Sequence, residues 1–176
     1  VLVVEHARVS GDLRAAAEPA ATALQHLMAG VGMDDDFPLL WPPLVLAALA
    51  AGDVSLAEQL LEPVEAAADG SLSPAVVAQQ RRLRGLVGVA RGDEPAAVEA
   101  DLRDGVRLLG DFGWLTALGP AQEELGRWLA EQGRTDEADE MLAAARATYE
   151  QIGATGWLAR LEQGTGADPD QRLARL

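Results

Sequence analysis

Two histidines, an aspartate triplet, adjacent carboxylates such as Glu123-Glu124 and Asp136-Glu137, and an arginine cluster are residues of this chain whose types suit chemistry. Asp34-Asp35-Asp36 would suit a divalent cation, but it lacks the spaced oxygen ligands and closing glutamate of a calcium loop. It reads as a solvated loop. His6 and His26 stand alone, with no His-Glu-x-x-His and no Gly-x-Ser-x-Gly nearby. Each reads as an ordinary helix residue, with a ligand or base as the alternative. Glu123-Glu124 and Asp136-Glu137 would need a shared pocket for acid–base work. They read instead as exposed or first-turn charges, where carboxylates favour the helix dipole. Arg81, Arg82 and Arg84 are the one local reversal of an acidic field. They either anchor an acidic peptide or a phosphate, or pair with carboxylates of adjacent helices, and the second reading is preferred. No catalytic residue, metal ligand or cofactor is assigned.

Composition narrows the classes further. The 176 residues carry a net charge of −14, so the surface should repel phosphate backbones and anionic membranes alike. All fourteen basic residues are arginine, so no lysine exists for a phosphate-binding Gly-Lys-Ser or Gly-Lys-Thr loop. Without cysteine there can be no disulfide or thiolate metal site, which fits a cytoplasmic protein. The longest apolar stretch, Leu39 to Ala51, is too short to span a bilayer and holds two prolines. The chain opens at Val1, already in apolar helix-like sequence, and reads as a piece of something longer.

The elements that position these residues follow from four glycine turns. Gly11, Gly52, Gly92 and Gly133 are spaced 41, 40 and 41 residues apart, and five residues after each stands an alanine: Ala16, Ala57, Ala97 and Ala138. A fixed period of this length signals repeated helical hairpins. Glycine suits a left-handed helix end, and alanine suits the closest approach of two helices. Apolar residues are 49% of the chain and aromatics only 4%, which suits closely packed helices better than a sheet.

The first hairpin is expected over Val1–Val9 and Asp12–Met28. The second starts at Pro42 or Pro43, and its partner helix runs Val54–Ala68 with Ala57, Leu60, Leu61 and Val64 inward. The third spans Pro74–Ala90 and a helix from Pro95 bearing Val98, Leu102, Val106 and Leu109, a stripe about one residue late. Phe112 to Pro120 should bridge to the fourth pair, Ala121–Glu131 and Asp136–Ile152. A short helix over Gly156–Glu162 would lay Trp157, Leu158 and Leu161 over the open end of the stack, as repeat arrays require. Residues 1–163 would form the repeat domain, and 164–176 a flexible tail or linker.

The repeats resemble the tetratricopeptide family, in Trp41-x2-Leu44-Val45-x2-Ala48 with Ala57-x3-Leu61, and in Leu125-Gly126-x2-Leu129 with Ala138-x3-Leu142. The third unit keeps Gly85 and Ala97 twelve residues apart but has Arg84 and Asp101 where apolar residues belong. The period of 40–41 exceeds the family's 34, implying longer helices and an altered superhelix. The stretch from about Gln79 to Glu162 resembles the C-terminal region of large bacterial signalling ATPases. Those carry a nucleotide-cyclase or DNA-binding domain, a P-loop ATPase and then a helical-repeat array.

The resemblance implies an all-α, right-handed superhelix of about four hairpins whose first helices line a concave groove. It places Glu5, Arg8, Leu46, Leu49, Arg82, Leu86, Val89, Glu123 and Arg127 on that inner face. The lysines and asparagines with which family members clamp a peptide carboxyl terminus are missing. The groove's middle is apolar instead, which marks an interaction surface unless tighter winding or a neighbouring segment covers it. The expected function is a non-catalytic module for protein or interdomain contact in a cytoplasmic signalling or transcriptional regulator. The alternatives are an inducer sensor with a pocket near Trp41, Leu86 and Trp128, and a homodimerisation module using the same face.

Overall fold

The computed structural model of the chain describes residues 37–68 and 70–165, and every regular element among them is a helix. The expected first hairpin around Gly11 lies outside these residues, with Glu5, Arg8, His6, His26 and Asp34–Asp36. The stretch beyond Thr165 lies outside them too. The seven described helices are α1 (Phe37–Ala50), α2 (Val54–Glu65), α3 (Pro74–Arg91), α4 (Pro95–Phe112), α5 (Leu115–Glu131), α6 (Thr135–Gln151) and α7 (Thr155–Thr165). They form two compact units that divide between Phe112 and Gly113. None is long and apolar enough to cross a membrane.

In the first unit α1 packs on α2 and α3, α2 packs on α3, and α3 pairs with α4. Its core joins Trp41, Leu44 and Val45 of α1 to Leu60, Leu61 and Val64 of α2 and to Val76, Leu83 and Val87 of α3. The inward set expected for α2 is buried throughout. Asp53 caps that helix by accepting the Leu56 N–H at 3.0 Å, and Ser73 does the same for Val76 at the start of α3. In the second unit α5 pairs with α6, and α7 packs on α6. There Leu161 is buried with Ala145 and Tyr149, and Trp157 meets the Tyr149 ring edge-on at 5.1 Å between centroids. Trp157, Leu158 and Leu161 thus cap the last hairpin of their unit as expected, on a helix running Thr155–Thr165.

The glycine turns share one hydrogen-bond pattern. Gly52, Gly92 and Gly133 have φ of 73°, 75° and 76°. At each, the glycine N–H and the next residue's N–H reach back to carbonyls three and five residues earlier: Gly92 to Val89 and Asp93 to Gly88 in the third repeat. This closes the last helical turn without exposing its carbonyls. The repeats then differ by one residue. Helices α2 and α6 start two residues after their glycines, whereas α4 starts three after Gly92, at Pro95. The expected alanine contact holds for Ala57 and Ala138, both buried, but Ala97 is exposed and Val98 takes its place. The late stripe read in α4 is this shift, and Gly85 faces Leu102 rather than Ala97.

Three expected boundaries are corrected. Helix α1 starts at Phe37, not at Pro42 or Pro43, so both prolines lie inside it. Burial and stacking of Phe37 on Trp41 support the extra turn, and the carbonyl of exposed Leu39 can turn to water where Pro43 offers no N–H. Helix α2 stops at Glu65 rather than Ala68, just after Pro63 removes a donor from its last turns. Helix α5 begins at Leu115, so Gly119-Pro120 is helical and not a bridge. Its glycine is packed rather than turning: a Cβ there would fall on the Tyr149 ring.

Val106 is only half-buried, because Gly105 makes the inward contact of α4. A Cβ on Gly105 would lie 2.9 Å from both the Cα and the N of Arg82, and backbone cannot swing aside. Gly110, in the same helix, has nothing within 4 Å of such an atom. Gly105→Ala should therefore destabilise the first unit by about 1–2 kcal/mol, overpacking outweighing the gain in helix propensity. Gly110→Ala should stabilise by about 0.5–1 kcal/mol. Urea midpoints of the two variants check this, and equal shifts would show slack at the α3–α4 crossing.

Candidate functional site

Glu123 accepts hydrogen bonds on both carboxylate oxygens, and it is neither exposed nor in a first turn. With α5 starting at Leu115, Glu123 sits mid-helix and is 4% exposed. One oxygen accepts from Arg127 Nε and Nη2 at 3.1 and 2.8 Å. The other accepts from Tyr149 Oη at 2.7 Å and Arg160 Nη2 at 2.8 Å. Burial pushes its pKa up, but the bonds from Tyr149 and Arg160 and the charges of Arg160 and Arg127 reverse this, and the net direction is down. Burial and the Glu123 bond push the Tyr149 phenol well above its ordinary range. Desolvation lowers the pKa of the Arg160 guanidinium, but the Glu123 bond and charge, joined by Tyr149, together outweigh that and the net direction is up. A carboxylate whose oxygens are both engaged by cations and a phenol is a poor general base. It ties α5, α6 and α7 together.

The arginine cluster resolves in the same sense. Arg81 Nη1 donates to Asp101 at 3.3 Å, and Arg84 donates to Asp101 through Nε at 2.6 Å and also through Nη2. The bond to Asp101 raises the Arg84 pKa against the opposing cost of burial. Arg82 is 5% exposed and bonds Gln79 at 3.2 Å. Arg84 and Asp101, which break the apolar family pattern, are thus partners across α3 and α4. First-turn placement does hold for Asp136 and Glu137 in α6, where Arg134 bonds Glu137 at 2.6 Å.

The residues expected on an inner face divide between the units. In the first unit Leu46 and Leu49 on α1 and Leu86 on α3 are half-buried against the core, while Val89 is 38% exposed. Leu39 on α1 is 54% exposed. Leu39 and Leu46 lie seven residues apart on α1, and Leu86 and Val89 three apart on α3. Those spacings put each pair on one helix face, and the two helices pack together. Apart from the indole N–H, α1 has no polar side chain. In the second unit Glu123 is the buried hub and Arg127 its exposed partner.

A further feature has no counterpart in the sequence reading. An open notch of about 370 Å³ lies between α2, α3 and α4. Its walls follow helical spacing: Glu58, Leu61 and Glu65 on α2, then Arg84, Val87, Gly88 and Arg91 on α3. Ala97, Val98 and Asp101 on α4 close it, with Asp93 from the turn. Arg91 bridges the mouth, from Glu58 at 3.0 Å to Asp93 at 3.1 Å. The available signal was the pair Glu58 and Glu65, seven residues apart and so on one face of α2; the shift of α4 that turns Ala97 into a wall was not legible locally. Among the described residues no group of three or more His, Cys, Asp and Glu is placed to hold a metal ion. No family model and no curated protein matches the chain.

Proposed function

We propose that the chain is a non-catalytic helical-repeat scaffold that docks a protein segment, from a partner or from another domain of its own protein, on the apolar strip of α1 and α3. The observation that carries this reading is a pair of apolar faces on two helices that pack together: exposed Leu39 with half-buried Leu46 on α1, and exposed Val89 with half-buried Leu86 on α3. Solvent-facing apolar strips of this kind are where helical arrays take partner helices. The saturated state of Glu123 and Asp101 supports a structural rather than catalytic use of the charged residues. The likeness to tetratricopeptide arrays of signalling ATPases supports a right-handed superhelix in a cytoplasmic signalling or transcriptional regulator.

Photo-crosslinking tests the strip. A benzophenone side chain at position 39 or 89 should give a protein adduct that one at position 107, on the outer face of α4, does not. Leu46→Glu should reduce the adduct at least fivefold while the helical circular dichroism is kept. No strip-specific adduct would overturn the proposal. Light scattering over a concentration series separates the occupants: a dimer lost in Leu46→Glu would assign the strip to self-association, which the net charge of −14 opposes at distance.

A further inference from the structure

We propose that the notch between α2, α3 and α4 receives an arginine or lysine side chain presented by a partner polypeptide. This goes beyond the docking strip and does not rest on it. The notch pairs an apolar floor, Leu61, Val87 and Val98, with a charged rim. Four carboxylates line it against two arginines, so its field favours a cation. A long basic side chain matches both parts, since its methylene stem lies on apolar surface while its head stays in polar surroundings.

The rim already holds such a head. The Arg91 guanidinium sits between Glu58 and Asp93 at 3.0 and 3.1 Å, which makes it an intramolecular stand-in for the incoming group. Arg91 is half in water, and ion pairs of that kind contribute little, so it can be exchanged. Glu65, one turn beyond Leu61 on α2, lines the same space and makes no ion pair within 4 Å with any described residue, its charge acting on Arg84 only from a distance. It is the open acceptor. Asp101 is not, because Arg81 and Arg84 engage it.

Other occupants fit less well. An anion would meet four carboxylates. A neutral small molecule needs most of its surface enclosed, and the notch is open on one side. A metal ion needs converging oxygens, whereas Glu58 and Glu65 stand seven residues apart on α2, about 10 Å along the helix axis.

The test uses the full chain and methyl-resolved NMR. The probe is a blocked Gly-Ser heptapeptide with one central arginine; its control carries citrulline, equal in shape but uncharged. The arginine peptide should shift the methyls of Leu61, Val87 and Val98 in a saturable way, and the citrulline peptide should bind at least tenfold more weakly. The Glu58→Gln, Glu65→Gln double variant should weaken the arginine peptide about tenfold, because charge-assisted bonds to the head are lost. Arg91→Ala should bind as tightly or tighter, its competitor being gone. Leu39→Glu, on the strip, should leave the titration unchanged, so the two proposals fail separately. Equal binding of the citrulline peptide, unchanged affinity in the double variant, or unsaturable shifts spread over the acidic surface would each overturn the proposal. Agmatine binding as tightly as the peptide would assign the notch to a free cation and overturn the polypeptide occupant.

Discussion

Trp41→Ala is expected to cost the first unit about 3–5 kcal/mol, a large part of the stability of an ordinary domain. Trp41 is wholly buried and joins α1 to α2 in two ways. Its ring stacks on Phe37 at 5.4 Å between centroids, and its Nε1–H donates to the Leu60 carbonyl at 2.7 Å. Alanine would leave a cavity that the rigid Pro42-Pro43 segment beside it cannot collapse to fill. Trp41→Phe separates the terms. Helix geometry gives the Leu60 carbonyl the Val64 N–H as well, so losing the indole donor strands no acceptor. That variant should cost only about 1–2 kcal/mol, mostly lost volume. Urea unfolding followed by circular dichroism measures both, and hydrogen exchange should quicken first in α1 and α2. A cost below about 1 kcal/mol for Trp41→Ala would show that α1 is not anchored through its indole.

What the sequence reveals of this fold depends on whether the cause is local. The left-handed ends at Gly52, Gly92 and Gly133 are legible because a single residue type meets a single backbone demand. The buried stripe of α2 is legible because its polar residues alternate with it at helical spacing. Helix α1 offers no such contrast, being apolar all round, so Pro42 and Pro43 look like a start when the anchor is the Phe37–Trp41 stack. Gly119-Pro120 looks like a turn for a similar reason: its glycine is needed by Tyr149, thirty residues away. The two sites divide on the same line. Leu46, Leu86 and Val89 come from the family resemblance, which assigns inner-face positions to the first helix of each hairpin. The partners of Glu123 lie 4, 26 and 37 residues away, and only the nearest is visible as an i, i+4 pair.

Those distant partners also account for the division of labour among the acidic residues. Asp101 and Glu123 each sit at a helix contact, and each is engaged by arginines. Burying a charge is tolerable only with such partners. The carboxylates that line the notch from α2, Glu58 and Glu65, are exposed instead. Removing an interior carboxylate should therefore alter stability, and removing a rim carboxylate should alter binding.

Glu123→Gln tests the interior half of that distinction, with an expected cost of about 2–4 kcal/mol to the second unit. The amide keeps one acceptor but turns two donors towards groups that are themselves donors. Arg127 and Arg160 are about half in water and lose little. The loss falls on Tyr149, whose hydroxyl is buried and bonded to Glu123. Amides of α7 should exchange faster, since Arg160 is that helix's tie to Glu123. The pH dependence fixes the cause. The folded pKa of Glu123 lies below the ordinary value of 4.5, so the unfolded chain takes up the proton first as pH falls. Its stabilisation is complete above that ordinary value and is lost as pH falls through the lower folded pKa. Glutamine has no proton to take up there. The stability gap between the native chain and Glu123→Gln should thus be constant near neutrality and close on acidification below about pH 4.5. The other carboxylates titrate in both proteins and cancel in the difference. Parallel profiles down to pH 3 would mean that packing around residue 123, and not its charge, holds α7 in place.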